Sequence, residues 1–273
     1  MDKIKEENYK KPKATLLHAS PLSIGEIAGR ICYDSFSLSE HELVRNFEEN
    51  PKEFINNLST LGDIESSKLL DKLFNVYFHE SVAEHINLTY HVERVSREII
   101  IEWNRTRIGM PTSQKSTRYT IEDLVNAFVD WYDNSNGAIG EEHYNAFEKV
   151  VDDNIVHKNN TRVTITTNYL LDMLSTYHEE EPLKKGLTGG AKKKQNDRVK
   201  RCLPESWMLE GIWTFNLRSL KHFVNLRSSG SAYYGIREVV ETVMEQTPHK
   251  YRILVDKKYK ELLLKQNKGE INE

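Results

Sequence analysis

Cysteine is nearly missing from this chain, with Cys32 and Cys202 alone among 273 residues and far apart. Neither a disulfide scaffold nor a four-ligand zinc site can be built from them, so no metal is expected. Cys32 falls in a stretch with apolar helical spacing and reads as a small core residue rather than a nucleophile. Long hydrophobic runs are missing too: no eighteen consecutive apolar residues occur, and the opening MDKIKEENYKKPK is polar, without a charged-then-apolar leader. The expectation is a cytoplasmic protein, soluble and free of the membrane. Nor is there an excess of one charge. With 38 basic and 41 acidic residues the formal net charge is −3, which argues against sequence-independent binding to a nucleic-acid backbone. Finally, no Gly-x-Gly-x-x-Gly opens a strand-turn-helix, so a Rossmann dinucleotide site is not expected.

What is present suffices for one packed core. At 38% hydrophobic residues the chain reads as a single domain over 1–273. Ile24, Ile27, Ala28 and Ile31 recur at helical spacing over Leu22 to Tyr33, Leu43 and Phe47 suggest a helix before Pro51, and Leu69, Leu70, Leu73, Phe74 and Tyr77 suggest another from Ser66 to Phe78. The period then changes to two. Ile86, Leu88, Tyr90 and Val92 alternate with polar residues as in a half-buried strand, and Ser96 can cap a following helix that turns Ile99, Ile100 and Trp103 inward. A second strand is expected from Met208 to Phe215, helices from Arg218 to Leu226 and Tyr233 to Glu245, and a short amphipathic helix after Asp256 that fades into disorder. Helices first, with strands not regularly interleaved, read as α+β.

The richest chemistry lies in VSREIIIEWNRTRIGMPTSQKSTRY, residues 95–119. It brings Arg97, Arg105, Arg107 and Arg118 near Ser113, Gln114, Ser116 and Thr117. Guanidinium forks grip phosphates bidentately and hydroxyls and amides complete the cage, so a small phosphorylated ligand is the first expectation; a solvated loop paired with nearby acids is the alternative.

Several ordered motifs around this stretch resemble the flavin-dependent thymidylate synthases. His79, Ser81, Glu84 and His85 match the family's His-x-Thr-x-x-Glu-His, and Val95-Ser96-Arg97 is followed after seven residues by Arg105-Thr106-Arg107, in place of Arg-His-Arg. Eight residues later come Ser116-Thr117-Arg118-Tyr119. Leu203-Pro204 and then Asn216, Arg218, Ser219, Leu220, Phe223, Leu226 and Arg227 complete the pattern, and Ala28-Gly29-Arg30-Ile31-Cys32-Tyr33 is similar to the family's early helix. The departures are Thr106 for His, one extra residue within Ile108 to Pro111, Glu102 for Gln, and Tyr233-Tyr234-Gly235 for Gln-Trp-Glu.

The resemblance implies an antiparallel sheet flanked by helices, a homotetramer, and FAD bound between subunits. It implies a methyltransferase that carries a methylene from methylenetetrahydrofolate to carbon 5 of deoxyuridylate, with NADPH restoring the reduced flavin. Arg227 and Ser116 would act in catalysis. Glu102, Arg105, Gln114, Ser116, Arg118, Lys200, Arg201 and Arg227 would meet the nucleotide. His79, Ser81, Glu84, Arg105, Thr106, Arg107, Asn216, Arg218 and His222 would line the flavin, although for His222 and His85 a structural role fits nearly as well. Apolar faces carrying Tyr233, Tyr234, Ile236, Val239 and Val240 would suit the subunit interface. Two stretches look like additions to the family core: 120–157, with two helices, and 179–200, a charged loop whose Lys192-Lys193-Lys194 reads as solvated or as closing over the substrate. Two rivals stay open. One keeps the fold and flavin but methylates deoxycytidylate or leaves a hydroxymethyl group; the other is a non-catalytic nucleotide- or flavin-binding homologue.

Overall fold

The structure, a computed structural model, describes residues 9–105, 109–134, 140–157 and 160–267. In chain order the elements are β1 (Lys13–Ala19), α1 (Ser23–Tyr33), α2 (Glu42–Glu49), α3 (Phe54–Leu61), α4 (Lys68–Asp71), β2 (Asn87–Ser96), α5 (Arg97–Trp103), β3 (Thr112–Gln114), α6 (Thr117–Thr120), α7 (Glu122–Asn134), α8 (Gly140–Asn154), α9 (Asn160–Glu180), α10 (Gly189–Val199), β4 (Met208–Asn216), α11 (Leu217–Arg227), α12 (Tyr234–Gln246), α13 (His249–Val255) and α14 (Lys257–Asn267). The four strands form one sheet in the order β1-β2-β4-β3. Helices and strands mix as the α+β reading expects. None of the described helices is long and apolar enough to cross a membrane.

The chain divides into two compact units: Met1–Pro12, Glu93–Ile101 and Gln114–Gly211 form one, and Lys13–Val92, Glu102–Ser113 and Ile212–Glu273 the other. In the first, Leu124, Val125, Phe128 and Val129 of α7, Phe147 and Val151 of α8, and Val163, Leu170, Leu171 and Leu174 of α9 pack into one buried cluster. Spacings of three and four put each set on one helix face, which is what the cluster buries. Helix α9 has no counterpart in the sequence reading, because Thr161, Val163, Thr164, Ile165, Thr166 and Thr167 are β-branched and favour strand locally. Burial of its apolar face overrides that preference.

The stretch 179–200 is corrected as well: its second half is the helix α10, not a loop. Polar side chains fasten it. The Gln195 amide accepts from the Lys184 N–H at 2.8 Å and donates to the Lys184 carbonyl at 2.9 Å, and Asn196 donates to the Arg118 carbonyl at 2.8 Å. Lys192 of the lysine run is ion-paired with Glu122.

In the second unit Trp103 is fully buried, stacked on Trp213 at 4.6 Å and on Phe223 at 5.0 Å between ring centroids. Its indole N–H points to the Met110 sulfur at 2.9 Å. A smaller cluster joins Ile27, Phe36 and Val44. The start of α1 is capped from a distance: the Asp63 carboxylate accepts from the Leu22 and Ser23 N–H groups at 2.7 and 3.0 Å and from the Lys250 ammonium at 2.8 Å. Burial raises the Asp63 pKa, but Lys250 and the two N–H groups outweigh it and hold the carboxyl below its ordinary value.

Three further expectations need correcting here. Cys32 is exposed, so it is not a core residue. Ile236, Val239 and Val240 are buried in the core, leaving only Tyr233 and Tyr234 of the supposed interface face exposed. The helix expected over 66–78 breaks after Asp71 into a π-helical turn, Lys72–Val76, and a left-handed Phe78 at φ +57°.

Candidate functional site

Helix α11 positions the central cation. Leu220, Phe223 and Val224 bury one face of it and bring Arg227 to its last turn. The Arg227 side chain keeps only 15% of its surface exposed, its Nη1 donates to Glu102 Oε2 at 3.1 Å, and its Nη2 donates to the Glu102 carbonyl at 3.1 Å. Its Nε is buried and has no acceptor among the described residues. Glu102, one residue before the stacked Trp103, also accepts from Arg105 at 2.8 Å. The bond from Arg105 first, and then the charges of Arg105 and Arg227, hold the Glu102 carboxyl below the usual range. Two cations on one carboxylate leave this group with a net positive charge.

The backbone between these residues and β4 is held by an unusually close approach. Gly109 sits at φ +66°, its carbonyl accepts from the Asn216 N–H at 2.9 Å, and a Cβ built on it would lie 2.2 Å from Asn216 Nδ2. Only glycine fits there. Asn216 in turn caps α11, its Oδ1 accepting from the Ser219 N–H at 2.8 Å.

Around the short 3₁₀ segment Glu80–His85, a second polar group forms. Arg218 donates to Glu80 at 3.1 Å and to Glu84 at 2.5 Å, and Lys221 reaches Glu80 at 3.2 Å while lying 4.0 Å over the Phe74 ring. His79 Nδ1 is 2.9 Å from the Tyr33 hydroxyl. Val76, Tyr77 and Phe78, immediately before His79, are all exposed, Phe78 at 71%.

In the other unit, Arg118 makes a bidentate pair with Asp197, Nε and Nη2 each at 2.7 Å from a carboxylate oxygen. Lys200, one helical turn beyond Asp197, joins at 2.9 Å. Arg118 and then Lys200 hold the Asp197 carboxyl down at about 2. Lys115, between Gln114 and Ser116, pairs with Glu210 at 3.2 Å.

The sequence profile described as "Thymidylate synthase complementing protein" matches residues 15–250. The chain belongs to the flavin-dependent thymidylate synthase family. It is 30% identical over 249 residues to the flavin-dependent thymidylate synthase of Campylobacter jejuni, covering 89% of this chain and 95% of that protein. It is 29% identical over 240 residues to the Wolinella succinogenes enzyme, covering 88% and 95%. Among solved structures it resembles Helicobacter pylori thymidylate synthase X with FAD and dUMP, at a TM-score of 0.64 and 22% identity over 90% of this chain and 98% of that one. That likeness carries the fold.

The residues singled out from the family motifs fall into these groups unevenly. Glu102, Arg105 and Arg227 come together, Glu84 joins Arg218, and Arg118 joins Lys200 through Asp197. Ser81, His85, Ser116, Arg201 and His222 are exposed, and Gln114 is partly buried. Thr106 and Arg107 lie outside the described residues. Arg97 Nη1 donates to the Leu203 carbonyl at 2.6 Å. Asp197, Glu80, Lys221 and Tyr33 were missed. For Asp197 the available signal was its spacing of three from Lys200, visible only once 189–199 is read as a helix.

Proposed function

We propose that this chain is a thymidylate synthase that binds FAD and methylates carbon 5 of deoxyuridylate, drawing the one-carbon unit from methylenetetrahydrofolate and reducing power from NADPH. The observation that carries the reading is Arg227: a mostly buried guanidinium tied at both Nη atoms to Glu102, with an Nε N–H that has no acceptor among the described residues. A cation fixed in this way can stabilise negative charge on the carbonyl and amide edge of a pyrimidine as carbon 5 becomes nucleophilic. Arg118 and Lys200 would hold the phosphate, and Ser116 and Gln114 would orient the nucleotide. Cys202 takes no part, since burial pushes its thiol up to about 11 and it donates to the Val199 carbonyl.

The residues at the flavin-matching positions offer hydrogen-bonding groups and rings to a large aromatic cofactor: Arg218, Lys221 and His79 stand beside the exposed rings of Tyr77 and Phe78, and FAD phosphates would draw Arg218 and Lys221 away from their present partners Glu80 and Glu84. When bound, FAD supplies the hydride and carries the one-carbon unit; the protein supplies placement and charge. His79, Ser81, Glu84, Arg105, Asn216, Arg218 and His222 are the residues of the described chain assigned to it, with Thr106 and Arg107 added from the motif. The exposed Val76-Tyr77-Phe78 run beside these donors supports a homotetramer with flavin at the subunit contact. The same reading takes 1–273 as one family domain, with 120–157 and 179–200 as additions, and a reducing cytoplasm suits the two free thiols.

A second reading is favoured by Glu102 itself. A carboxylate beside Arg227 can accept from the exocyclic amine of a cytosine, so deoxycytidylate is the competing substrate. The test is a spectral titration with FAD followed by turnover with methylenetetrahydrofolate and NADPH on each nucleotide. Thymidylate from deoxyuridylate is expected. A folded protein that neither quenches FAD fluorescence nor turns over either nucleotide overturns both readings.

A further inference from the structure

A cavity of about 450 Å³ opens between α12, α14 and the end of α11, lined among others by Arg237, Arg252, Tyr259 and Leu262. Its size is in the usual range for small-ligand sites. None of the residues assigned above to nucleotide or flavin lines it, and α14 follows the stretch 15–250 that the family profile matches.

The two arginines on its wall differ. Arg252 is engaged, its Nε 3.5 Å from the Asp256 carboxylate and its guanidinium 4.1 Å over the Tyr259 ring. Arg237 is not. Its Nε is buried with no acceptor, and no carboxylate lies within ion-pair distance of it among the described residues, although Glu241 stands one turn along the same helix. A partly buried guanidinium left unpaired is costly, and an anion seated in the cavity would remove that cost. Val224, Val240, Met244 and Leu262 line the same space and would cover an apolar body attached to the anion. The remaining charged walls, Lys258, Glu241 and Asp256, bring the total to three cations against two anions, and Asp256 is already committed to Arg252.

We propose that this cavity is a second ligand site, separate from the family's chemistry, that binds a small organic anion through Arg237, with the anionic group on Arg237 and its apolar body against α12 and α14. A phosphate and a carboxylate satisfy the same guanidinium, so both sources are tested.

The experiment is calorimetric titration of the full chain with phenyl phosphate, with benzoate and with neutral benzyl alcohol. One saturable site per chain is expected for at least one anion, with benzyl alcohol about tenfold weaker or more, as expected for loss of a charge-assisted hydrogen bond. Whichever anion binds tighter names the source. Arg237→Gln should weaken binding by a similar factor, and Leu262→Trp, which adds bulk to the cavity wall from an exposed position, should weaken it independently. Arg118→Ala should leave it unchanged. No saturable binding of either anion, equal affinity for the neutral probe, full affinity in a folded Arg237→Gln or Leu262→Trp variant, or loss in Arg118→Ala overturns the proposal.

Discussion

The Arg118–Asp197–Lys200 group and the Arg105–Glu102–Arg227 group have the same makeup, two cations on one carboxylate, yet they leave different things free. Asp197 takes Nε and Nη2 of Arg118 in a fork-to-fork pair. Glu102 takes only Nη atoms of Arg227, and the Arg227 Nε stays buried without an acceptor among the described residues. On the proposed reading, an incoming phosphate would have to compete with Asp197 for Arg118, whereas a pyrimidine would meet an Arg227 whose two Nη atoms are already held by Glu102. On that reading one cation is guarded by its acid, whereas the other keeps an Nε without an acceptor among the described residues. Neutralising Asp197 and neutralising Glu102 should have different consequences, although the two carboxylates look alike in sequence.

The comparison can be pressed hardest at Arg227. Arg227→Lys keeps the charge but loses the planar fork, and single-turnover methyl transfer should slow by on the order of 3 kcal/mol while FAD affinity changes little. An unaffected rate would mean that the open Nε has no part in the chemistry. A smaller effect is expected at the guarded cation. Arg118→Ala should weaken deoxyuridylate binding by about 2 kcal/mol, less than an unopposed phosphate contact would, and Asp197→Asn should tighten it severalfold by releasing the fork. Equilibrium titration of both variants checks this, and a weaker Asp197→Asn would show that the carboxylate supports the site rather than guards it.

The smallest effect is in pH. The Asp197 carboxyl is lowered from 3.8 to about 2 in the fold, so its stabilising contribution is complete above 3.8 and lost as pH falls through about 2. Denaturant unfolding of wild type and Asp197→Asn over that window should show a shallower acid loss in the variant. Because the side chain is a third exposed, solvent screening keeps the difference small.

Much of this arrangement could be read from residue order, for identifiable reasons. Helices α7, α8, α11 and α12 announce themselves because their apolar residues recur at three and four, and Ser96 marks a helix start by side-chain capping. Helix α9 does not, because its β-branched run obscures the period, and α10 does not, because glutamine and asparagine rather than an apolar stripe fix it. The same limit applies to the site. Arg118, Arg227 and Glu102 stand out by motif, but Asp197 lies 79 residues from Arg118, and nothing local marks it as that arginine's partner. Strand β1 was missed because Lys13–Ala19 is too short and too mixed to show a clean alternation.

Asp63 has a consequence for the order of folding. Helix α1 cannot complete its first turn from its own neighbours: its leading N–H groups wait for a carboxylate some forty residues on, and that carboxylate for the ammonium of Lys250, 187 residues beyond it. On a growing chain, therefore, α1 would emerge with a frayed beginning and gain its last order only after Lys250 has followed it. Closing so long a loop costs little more entropy than closing a short one, but it delays the event. The start of α1 should accordingly be among the last backbone segments to acquire protection from hydrogen exchange during refolding, and among the first to lose it when Lys250 is removed.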